Sequence, residues 1–219
     1  MSRKREVTMP TAPKILCMYS GGLDSAGALW QLIHDQQYSE YEILVHHVQL
    51  LNITNRYYAE RQAVDKTIPL LRSLTGRKLY LSSTIMDFAF MAPKVPVDAD
   101  VYGFVAANLA NIDLNIKHIA IGRTLDDETT GGDPLHHIAN CVEKALSIGK
   151  IGKKNSTSAS CITPVIEYTK QQIWNMLPAN IRSASWSCRI PRYQQTSDGK
   201  ITAYACMRCN ACLARSELK

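Results

Sequence analysis

The sequence contains no apolar stretch that approaches the ~18 residues a membrane-spanning helix requires. Its basic opening, residues 1–14, also lacks the apolar segment of a signal peptide. Both absences argue against a membrane or secreted protein, so we expect a cytoplasmic one. The chain has 219 residues, of which 46% are hydrophobic, enough for one sizeable core with a small appendage.

Two common nucleotide-binding motifs are missing as well. A Walker loop needs a lysine after its second glycine to hold the β- and γ-phosphates, and no lysine follows the glycines near the N-terminus. The Gly-x-Gly-x-x-Gly fingerprint of dinucleotide-binding proteins is also absent. These absences remove the main support for a Walker-type NTPase and for an NAD enzyme.

What is present is a short loop that suits a phosphate group. The apolar run from Ile15 to Tyr19 predicts a buried strand, which leads through Ser20-Gly21-Gly22-Leu23-Asp24-Ser25 into a helix. The glycine amides can converge on an anion at the positive end of that helix, and the two serines add hydroxyl donors. The alternative is a tight turn followed by an ordinary serine-capped helix.

The seven cysteines do not form a disulfide set, because their number is odd and the expected compartment is reducing. Four of them lie near the C-terminus, as Cys188 and the knuckle Cys206-x-x-Cys209-x-x-Cys212. Gaps of two residues let thiolates converge on one tetrahedral cation. A structural zinc site is therefore the leading interpretation, and an iron–sulfur cluster is the alternative.

Strands and helices alternate along the chain. Apolar segments after the first strand predict further strands at 42–49, 79–83, 117–122 and 161–166. The last should be an edge strand, since Pro164 cannot donate to a central ladder. Helices are predicted at 55–75, with Pro69 inside and Gly76 as its C-cap, at 98–113, and after a capping box at 169–172. This alternation indicates an α/β fold with a doubly wound, mostly parallel, Rossmann-like sheet.

Several polar segments are candidates for a site. The end of the second strand, Val48 to Asn52, can present backbone to a ligand such as adenine. The loop Arg123–Asp133 is either a substrate loop or a solvated acidic turn, and Lys150–Ser160 is interpreted as a mobile loop or lid. His46 and His47 are interpreted as hydrogen-bonded structural residues. The net charge of +6 makes nucleic acid a possible but less favoured partner.

The loop from Ser20 to Ser25 resembles the pyrophosphate loop of the N-type ATP pyrophosphatases, which split ATP between the α- and β-phosphates. Together with the cysteine knuckle, it makes the chain similar to the QueC family of 7-cyano-7-deazaguanine synthases. The match includes Gly122 followed by Asp127, Thr163-Pro164 with Lys170 nearby, and the knuckle ending at Arg215.

The resemblance implies a Rossmann-like sheet, a homodimer, structural zinc, and ATP with Mg²⁺. The implied reaction converts 7-carboxy-7-deazaguanine and ammonia to the nitrile through an adenylate and an amide. The resemblance assigns nucleotide binding to Tyr19, Ser20, Gly21, Gly22, Leu23, Asp24, Ser25, Val48 and Gly122, catalysis to Asp24, Ser25, Asp127 and Lys170, and zinc to Cys188, Cys206, Cys209 and Cys212. It divides the chain into a flexible basic N-terminus at 1–13, an ATP-binding domain at 14–182 and a zinc-binding region at 183–219.

Two segments depart from the family pattern. The family's Pro-Gly-Arg-Asn before the middle helix is replaced by Val97 to Tyr102, and its Tyr-Pro-Asp-Cys-Arg after the fourth strand by Thr129 to His136. Both would touch the deazaguanine, so we hypothesise a divergent branch that stops at the amide or takes a related carboxylate. The alternatives are a tRNA-thiolating relative with an iron–sulfur cluster and a non-catalytic nucleotide-sensing protein.

Overall fold

The computed structural model describes residues 12–93, 98–129, 140, 142–147 and 159–219. The strands are β1 (Lys14–Met18), β2 (Glu42–Leu51), β3 (Leu79–Asp87), β4 (Ile116–Ile121), β5 (Ser160–Ile162), β6 (Arg192–Gln195) and β7 (Ile201–Tyr204). The helices are α1 (Leu23–His34), α2 (Tyr57–Thr75), α3 (Asp98–Ile112), α4 (Leu125–Thr129), α5 (Lys170–Met176), α6 (Ala179–Ala184) and α7 (Asn210–Glu217). Residues 142–147 are also helical.

The first five strands form one parallel sheet in the order β3-β2-β1-β4-β5. Because β1 and β2 are apolar on both faces, they suit the interior of a sheet that helices cover on both sides. The chain moves outward in one direction from β1 to β3 and in the other from β4 to β5. The switch point between β1 and β4 is where an open α/β sheet binds its ligands.

Helices pack on both faces of the sheet, which confirms the predicted doubly wound α/β fold. One core joins α1, α2 and α5 to the sheet through residues such as Leu29, Ile68 and Ile173. The other joins α3 and the helical residues 142–147 to the opposite face through Val105 and Val142. Small alanines in α3 let that helix lie close to the strands.

Local sequence rules set several element ends. The capping box is present, with Thr169 and Gln172 bonding each other's backbone, and Gly76 ends α2 with a φ of 64°. Helix α2 begins two residues later than predicted because Asn55 has a φ of 52°, outside the helical region. The same helix runs through Pro69 without dividing.

Three strands differ in length from the prediction. Strand β2 continues past residue 49 to Leu51. Strand β3 continues past Ser83 to Asp87, because it pairs with β2 over nine residues. Strand β5 lies at the predicted sheet edge but stops at Ile162, since the chain turns there and the Ile166 amide donates to the Thr163 carbonyl. Within the described residues, no helix is both long and apolar enough to cross a membrane.

The C-terminal region contains an antiparallel hairpin, β6–β7, that the sequence did not reveal. Its strands carry few apolar residues, so they show little hydrophobic alternation. The hairpin lies against the N-terminal part of α2, where the Tyr193 hydroxyl donates to the Asn55 carbonyl and the Gln62 side-chain amide donates to the Ile201 carbonyl over 2.8 Å. Helix α2 thus connects the sheet to the C-terminal region.

Some predictions fall outside the described residues. These are the basic N-terminus as far as residue 11, most of the 150–160 segment, the helix expected after Asp133, and most of the segment 129–136 that departs from the family pattern.

Candidate functional site

The glycine loop lies at the carboxyl end of β1, at the switch point of the sheet. Gly21 adopts a φ of +80°, and a Cβ there would approach the Glu60 carbonyl oxygen to 3.0 Å. The Trp186 amide donates to the Gly21 carbonyl over 2.8 Å. The loop is therefore held between α2 and the C-terminal region, and its conformation requires glycine.

Gly122, at the end of β4, supports the loop by its lack of a side chain. A Cβ at this position would lie 2.7 Å from the backbone of both Asp24 and Ser25. Real Cβ atoms do not approach backbone atoms so closely, so Gly122 is needed for the first turn of α1 to rest against β4. The structure therefore places the predicted Gly122 beside the loop and indicates a packing reason for it.

The serines of the loop are already hydrogen-bonded within it. The Ser25 hydroxyl lies 3.0 Å from the Gly22 carbonyl, to which it donates, and 3.1 Å from the Ser20 hydroxyl. The Gly22 amide donates to Ser20 Oγ at 3.3 Å. A phosphate at this position would compete with these weak internal bonds for the Gly22 amide and the Ser20 hydroxyl.

Tyr19 anchors the beginning of the loop rather than facing the cleft. Its side chain is buried, and its hydroxyl donates to Thr67 Oγ1 over 2.8 Å. The His47 ring nitrogen Nδ1 lies 2.9 Å from the Tyr19 carbonyl, so Nδ1 must carry the proton of that bond. Burial lowers the pKa of His47 to about 4. Both histidines of β2 are buried and hydrogen-bonded, as predicted for structural residues.

Two carboxylates and one lysine form a charged network beside the loop. Lys170 Nζ lies 2.8 Å from Asp127 Oδ1 and 3.8 Å from Asp24 Oδ2. Asp127 also accepts from the amide and hydroxyl of Thr124. Although partial burial opposes its ionisation, these donors lower the pKa of Asp127. Asp24, Asp127 and Lys170, distant in sequence, thus lie together.

Asp24 is the least satisfied member of this network. Its Oδ1 atom is buried and has no hydrogen-bond partner among the described residues. Burial raises the pKa of the Asp24 carboxyl to about 6, and Lys170 opposes the shift. A buried carboxylate oxygen without a donor is strongly destabilising unless a cation or proton meets it. The residues present therefore fit Mg²⁺, which prefers one or two carboxylates together with phosphate oxygens.

The loop opens into a cleft of about 650 Å³. One end, which we call the nucleotide end, is lined by the loop, Asp24, Asp127 and Lys170. The other, which we call the acceptor end, is lined by Arg56, Glu60, Asp98, Tyr102 and Arg189. The two ends together have room for a nucleotide and a second small molecule.

Asp98 and Tyr102 belong to the segment Val97 to Tyr102, which the family resemblance placed against the deazaguanine. Arg56, Glu60 and Arg189 were not identified as site residues in the sequence. Arg56 Nε lies 3.1 Å from Glu60 Oε1, and Arg56 Nη2 pairs with Asp98. Burial raises the pKa of Glu60 to about 7, while Arg56 opposes the shift. Their sequence signal is weak, because they belong to the first turns of two different helices. The rule that ligands bind beyond the ends of parallel strands would have pointed to both turns.

Val48 lies in the middle of β2, since that strand continues to Leu51. Its side chain is buried and lines a small separate cavity of about 60 Å³, together with His46, Ser20 and Gly122. The structure thus places Val48 next to the loop but not in the main cleft. Leu23 is likewise buried, although it also lines the main cleft.

The four C-terminal cysteines converge as expected. The sulfur atoms of Cys188, Cys206, Cys209 and Cys212 all lie within 4.8 Å of one another. A tetrahedral zinc with bonds of about 2.3 Å would hold its sulfurs about 3.8 Å apart, and Cys206 Sγ lies 3.9 Å from Cys212 Sγ. Met207, inside the knuckle, has a φ of 59° that turns the chain sharply. The donor set fits a single tetrahedral ion.

Backbone amides also point at these sulfurs. The Cys206 amide donates to Cys188 Sγ and the Cys209 amide to Cys206 Sγ. Burial opposes ionisation of Cys209, but hydrogen bonds from backbone amides and neighbouring thiols outweigh it and lower the pKa of Cys209 to about 6. Such amide donors stabilise thiolates and orient metal ligands.

The cysteine region is part of the cleft wall. Cys188 lines the cleft, and Trp186, two residues earlier, holds the glycine loop through its amide. Arg215 in α7 donates to Ser185, to Ser187 and to the Arg182 carbonyl. The segment that leads into the first cysteine is thereby fixed from both sides.

Comparisons with known proteins identify a family. The family model described as "Queuosine biosynthesis protein QueC" matches residues 14–218. One similar solved structure is the U34-tRNA thiolase NcsA from Methanococcus maripaludis with its 4Fe–4S cluster, at 15% sequence identity and a TM-score of 0.49. That alignment covers 84% of this chain and 61% of the thiolase chain. No protein of curated function matches the sequence significantly.

Proposed function

The chain belongs to the QueC family, and on that premise we propose that it activates a carboxylate with ATP, releasing AMP and pyrophosphate. The proposed reaction joins ammonia to 7-carboxy-7-deazaguanine and forms 7-cyano-7-deazaguanine through the 7-amido compound. Family membership supports an ATP-consuming enzyme of the pyrophosphate-loop class. The identity of the acceptor, a deazaguanine, is the more specific part of the proposal.

The observation that carries the proposal is the charged network beside the glycine loop. Asp24, with one orphaned buried oxygen, lies at the start of α1, and Lys170 lies between it and Asp127. Loop amides would hold the departing pyrophosphate, while Lys170 would offset the charge that develops on the phosphates. Asp24 would hold Mg²⁺, with Asp127 orienting Lys170. That metal ion, when bound, screens the phosphate oxygens from the attacking carboxylate.

The chemistry needs activation because a carboxylate cannot expel oxide. One carboxylate oxygen attacks the α-phosphorus of ATP, the bond to the bridging oxygen breaks, and pyrophosphate leaves. Ammonia then attacks the acyl carbon, AMP departs with its bonding electrons, and loss of a proton leaves the amide. In a second cycle the amide oxygen attacks ATP, and elimination of AMP with loss of two protons yields the nitrile. These steps require positioning and electrostatic stabilisation more than a protein nucleophile.

The remaining assignments follow from the same premise. We propose that the four cysteines hold structural zinc, because sulfurs within 4.8 Å of one another suit one ion better than a cluster whose irons spread the ligands apart. Nucleotide binding by the loop from Tyr19 to Ser25, the three-part division at residues 13 and 182, a homodimeric state and a cytoplasmic location also remain proposals.

The decisive experiment incubates the purified protein with ATP, Mg²⁺, ammonia and 7-carboxy-7-deazaguanine. Nucleotides are resolved by chromatography and deazaguanines by mass spectrometry. We expect AMP and pyrophosphate in equal amounts, with the amide or the nitrile as the second product. Amide without nitrile would identify the divergent branch indicated by the altered segment at Asp98–Tyr102. Formation of ADP, or no AMP with this acceptor, would overturn the proposal.

The cysteine site separates the second candidate from the first. A tRNA-thiolating enzyme with an iron–sulfur cluster has the same loop and also needs grouped cysteines. Elemental analysis with an absorption spectrum of anaerobically purified protein distinguishes the two. One zinc per chain and a colourless protein support the ligase, whereas iron and a brown colour support the thiolase. ATP binding without turnover of any acceptor would instead indicate a nucleotide sensor.

A further inference from the structure

Two carboxylates of the acceptor end share one guanidinium at close range. Glu60 and Asp98 both pair with the single guanidinium of Arg56. The side chains of Arg56 and Glu60 are only 9% and 11% exposed, whereas that of Asp98 is 31% exposed. Arg56 is therefore occupied and shielded, and of these three groups the Asp98 carboxylate meets the cleft most openly. The exposed Arg189 also lines this end and leaves the orphaned Glu60 oxygen without a hydrogen bond.

Glu60 adds an independent indication that a donor belongs here. The residue is 9% exposed, it lines the cleft, and its Oε2 atom is buried without a hydrogen-bond partner among the described residues. Its other oxygen, Oε1, faces Arg56. An unpaired buried carboxylate oxygen is costly, so a donor from outside the described residues would be stabilising at this position.

We propose that Glu60 and Asp98 form a recognition site for a planar ring edge with adjacent N–H donors, such as the ring N–H and 2-amino groups of a 2-amino-4-oxopyrimidine. This inference rests on the proposed function, because it names how the acceptor is recognised. A carboxylate is the natural partner for two parallel N–H groups, since its two oxygens accept them together.

Arg56 has a positioning role in this arrangement. It holds both carboxylates on one side of the cleft and offsets part of their mutual repulsion. Because its guanidinium is already paired twice, it is poorly placed to bind the acceptor's own carboxylate. That group would instead point toward the nucleotide end, where Lys170 and the α-phosphate would lie. The ring and its reactive carboxylate would thus each meet side chains of opposite charge, in different parts of the cleft.

The test measures binding of 7-carboxy-7-deazaguanine and of its analogue without the 2-amino group, by isothermal titration calorimetry with the full-length protein. We expect the analogue to bind wild-type protein about 10- to 100-fold more weakly, the effect of one charge-assisted hydrogen bond. Glu60→Gln and Asp98→Asn should each reduce that preference to less than about threefold. Asp65→Asn, which changes an exposed carboxylate on the same helix as Glu60, should keep the preference.

Calorimetric binding of ATP serves as the check on folding, since all variants should keep it. Equal affinity of wild-type protein for both ring compounds overturns the inference, and a preference kept by either variant removes that carboxylate from the site. Should a variant not fold, the N1-methyl analogue on wild-type protein replaces it, and undiminished binding of that analogue overturns the inference. A preference for the 2-amino ring without AMP release defeats the proposed function alone, whereas AMP release with equal ring affinities defeats the recognition site alone.

Discussion

The two ends of the cleft differ in how far backbone and side-chain atoms form them. The nucleotide end adds to its charged side chains the backbone of a glycine loop, which β4 and Trp186 hold in place at contact distance. The acceptor end is mostly side chain, formed by Arg56, Glu60 and Asp98 from the first turns of two helices. Backbone sites suit a group that every substrate shares, whereas side-chain sites can change from one relative to another.

The cysteine region connects the two ends. Trp186 holds the loop at one end, and Arg189 lines the cleft at the other, with Cys188 between them in sequence. A metal at the cysteines would therefore support both ends at once. The comparison can be tested by changing the cysteine region first, as the wall that both ends share, and then each end separately.

The largest effect is expected from unfolding the cysteine region. Cys209→Ser, or prolonged treatment with a chelator, should abolish metal binding and disorder the segment from Trp186 to Glu217, because four cysteines form the core of that region. Hydrogen–deuterium exchange should show lost protection there and in the glycine loop, while β1 to β4 remain protected. Unchanged exchange in the loop would show that the cysteine region does not hold it. Cys17→Ser, a change far from the metal ligands, serves as the control.

A change at the nucleotide end alone should abolish the reaction and leave the cysteine region folded. We expect Asp24→Asn to lower the rate of AMP formation at least about 100-fold, since the amide cannot hold Mg²⁺ or offset phosphate charge in the same way. Metal content and ring binding at the acceptor end should be unchanged. The measurement is AMP release under saturating ATP, with Asp65→Asn as control. A variant that keeps more than a tenth of the wild-type rate would contradict the assigned role.

The backbone character of the nucleotide end is tested by adding a single methyl group. Gly122→Ala should lower the free energy of unfolding by about 1–3 kcal/mol and raise the KM for ATP, because its Cβ would overlap the start of α1. Gly76→Ala is the control, since nothing lies within 4 Å of the added atom, although its φ, unlike that of Gly122, is positive in the native state. The control should cost about 1 kcal/mol through backbone strain alone and leave the KM unchanged. Urea denaturation and steady-state kinetics measure the two quantities.

The last effect is a dependence of stability on pH at the acceptor end, confined to the range in which Glu60 titrates. Burial raises the pKa of Glu60 from its ordinary 4.5 to about 7, so the folded protein holds this proton more tightly than the unfolded chain. The resulting stabilisation is complete below pH 4.5 and is lost as the pH rises through about 7. Relative to wild type, Glu60→Gln should therefore gain stability between pH 4.5 and 7, by up to about 3 kcal/mol, because each pKa unit corresponds to about 1.4 kcal/mol. Denaturation curves at several pH values give the free energy of unfolding of each protein. If the two free energies changed in parallel with pH, they would contradict this prediction.

Much of the fold could be predicted from local patterns. The parallel strands, the doubly wound arrangement and the edge position of β5 follow from apolar runs and from Pro164. The capping box at Thr169 and the C-cap at Gly76 follow from single residues. The β6–β7 hairpin could not be predicted, because its strands are short and polar and are stabilised by contacts with α2 rather than by a pattern of their own.

The candidate site could likewise be predicted only in part from the sequence. The glycine loop and the cysteine knuckle are contiguous motifs, so their residue types and spacing are visible in the sequence. The proximity of Lys170 to Asp24 and Asp127 was implied only by resemblance, and the structure adds the distances. Arg56 and Glu60 were missed because an ion-pair network between two helices leaves no periodic signal, whereas Asp98 lies in a segment to which the family resemblance already pointed.

By itself the sequence determined an α/β chain with a phosphate-type loop and four metal-ligand cysteines, since hydrophobic periodicity, glycine and cysteine spacing act over short stretches. Only the tertiary structure decided that Trp186 braces the loop, that Gly122 must lack a side chain, and that two carboxylates share one arginine at the acceptor end. These features depend on distances between residues far apart in the chain, and such distances are set by packing rather than by local conformational preference.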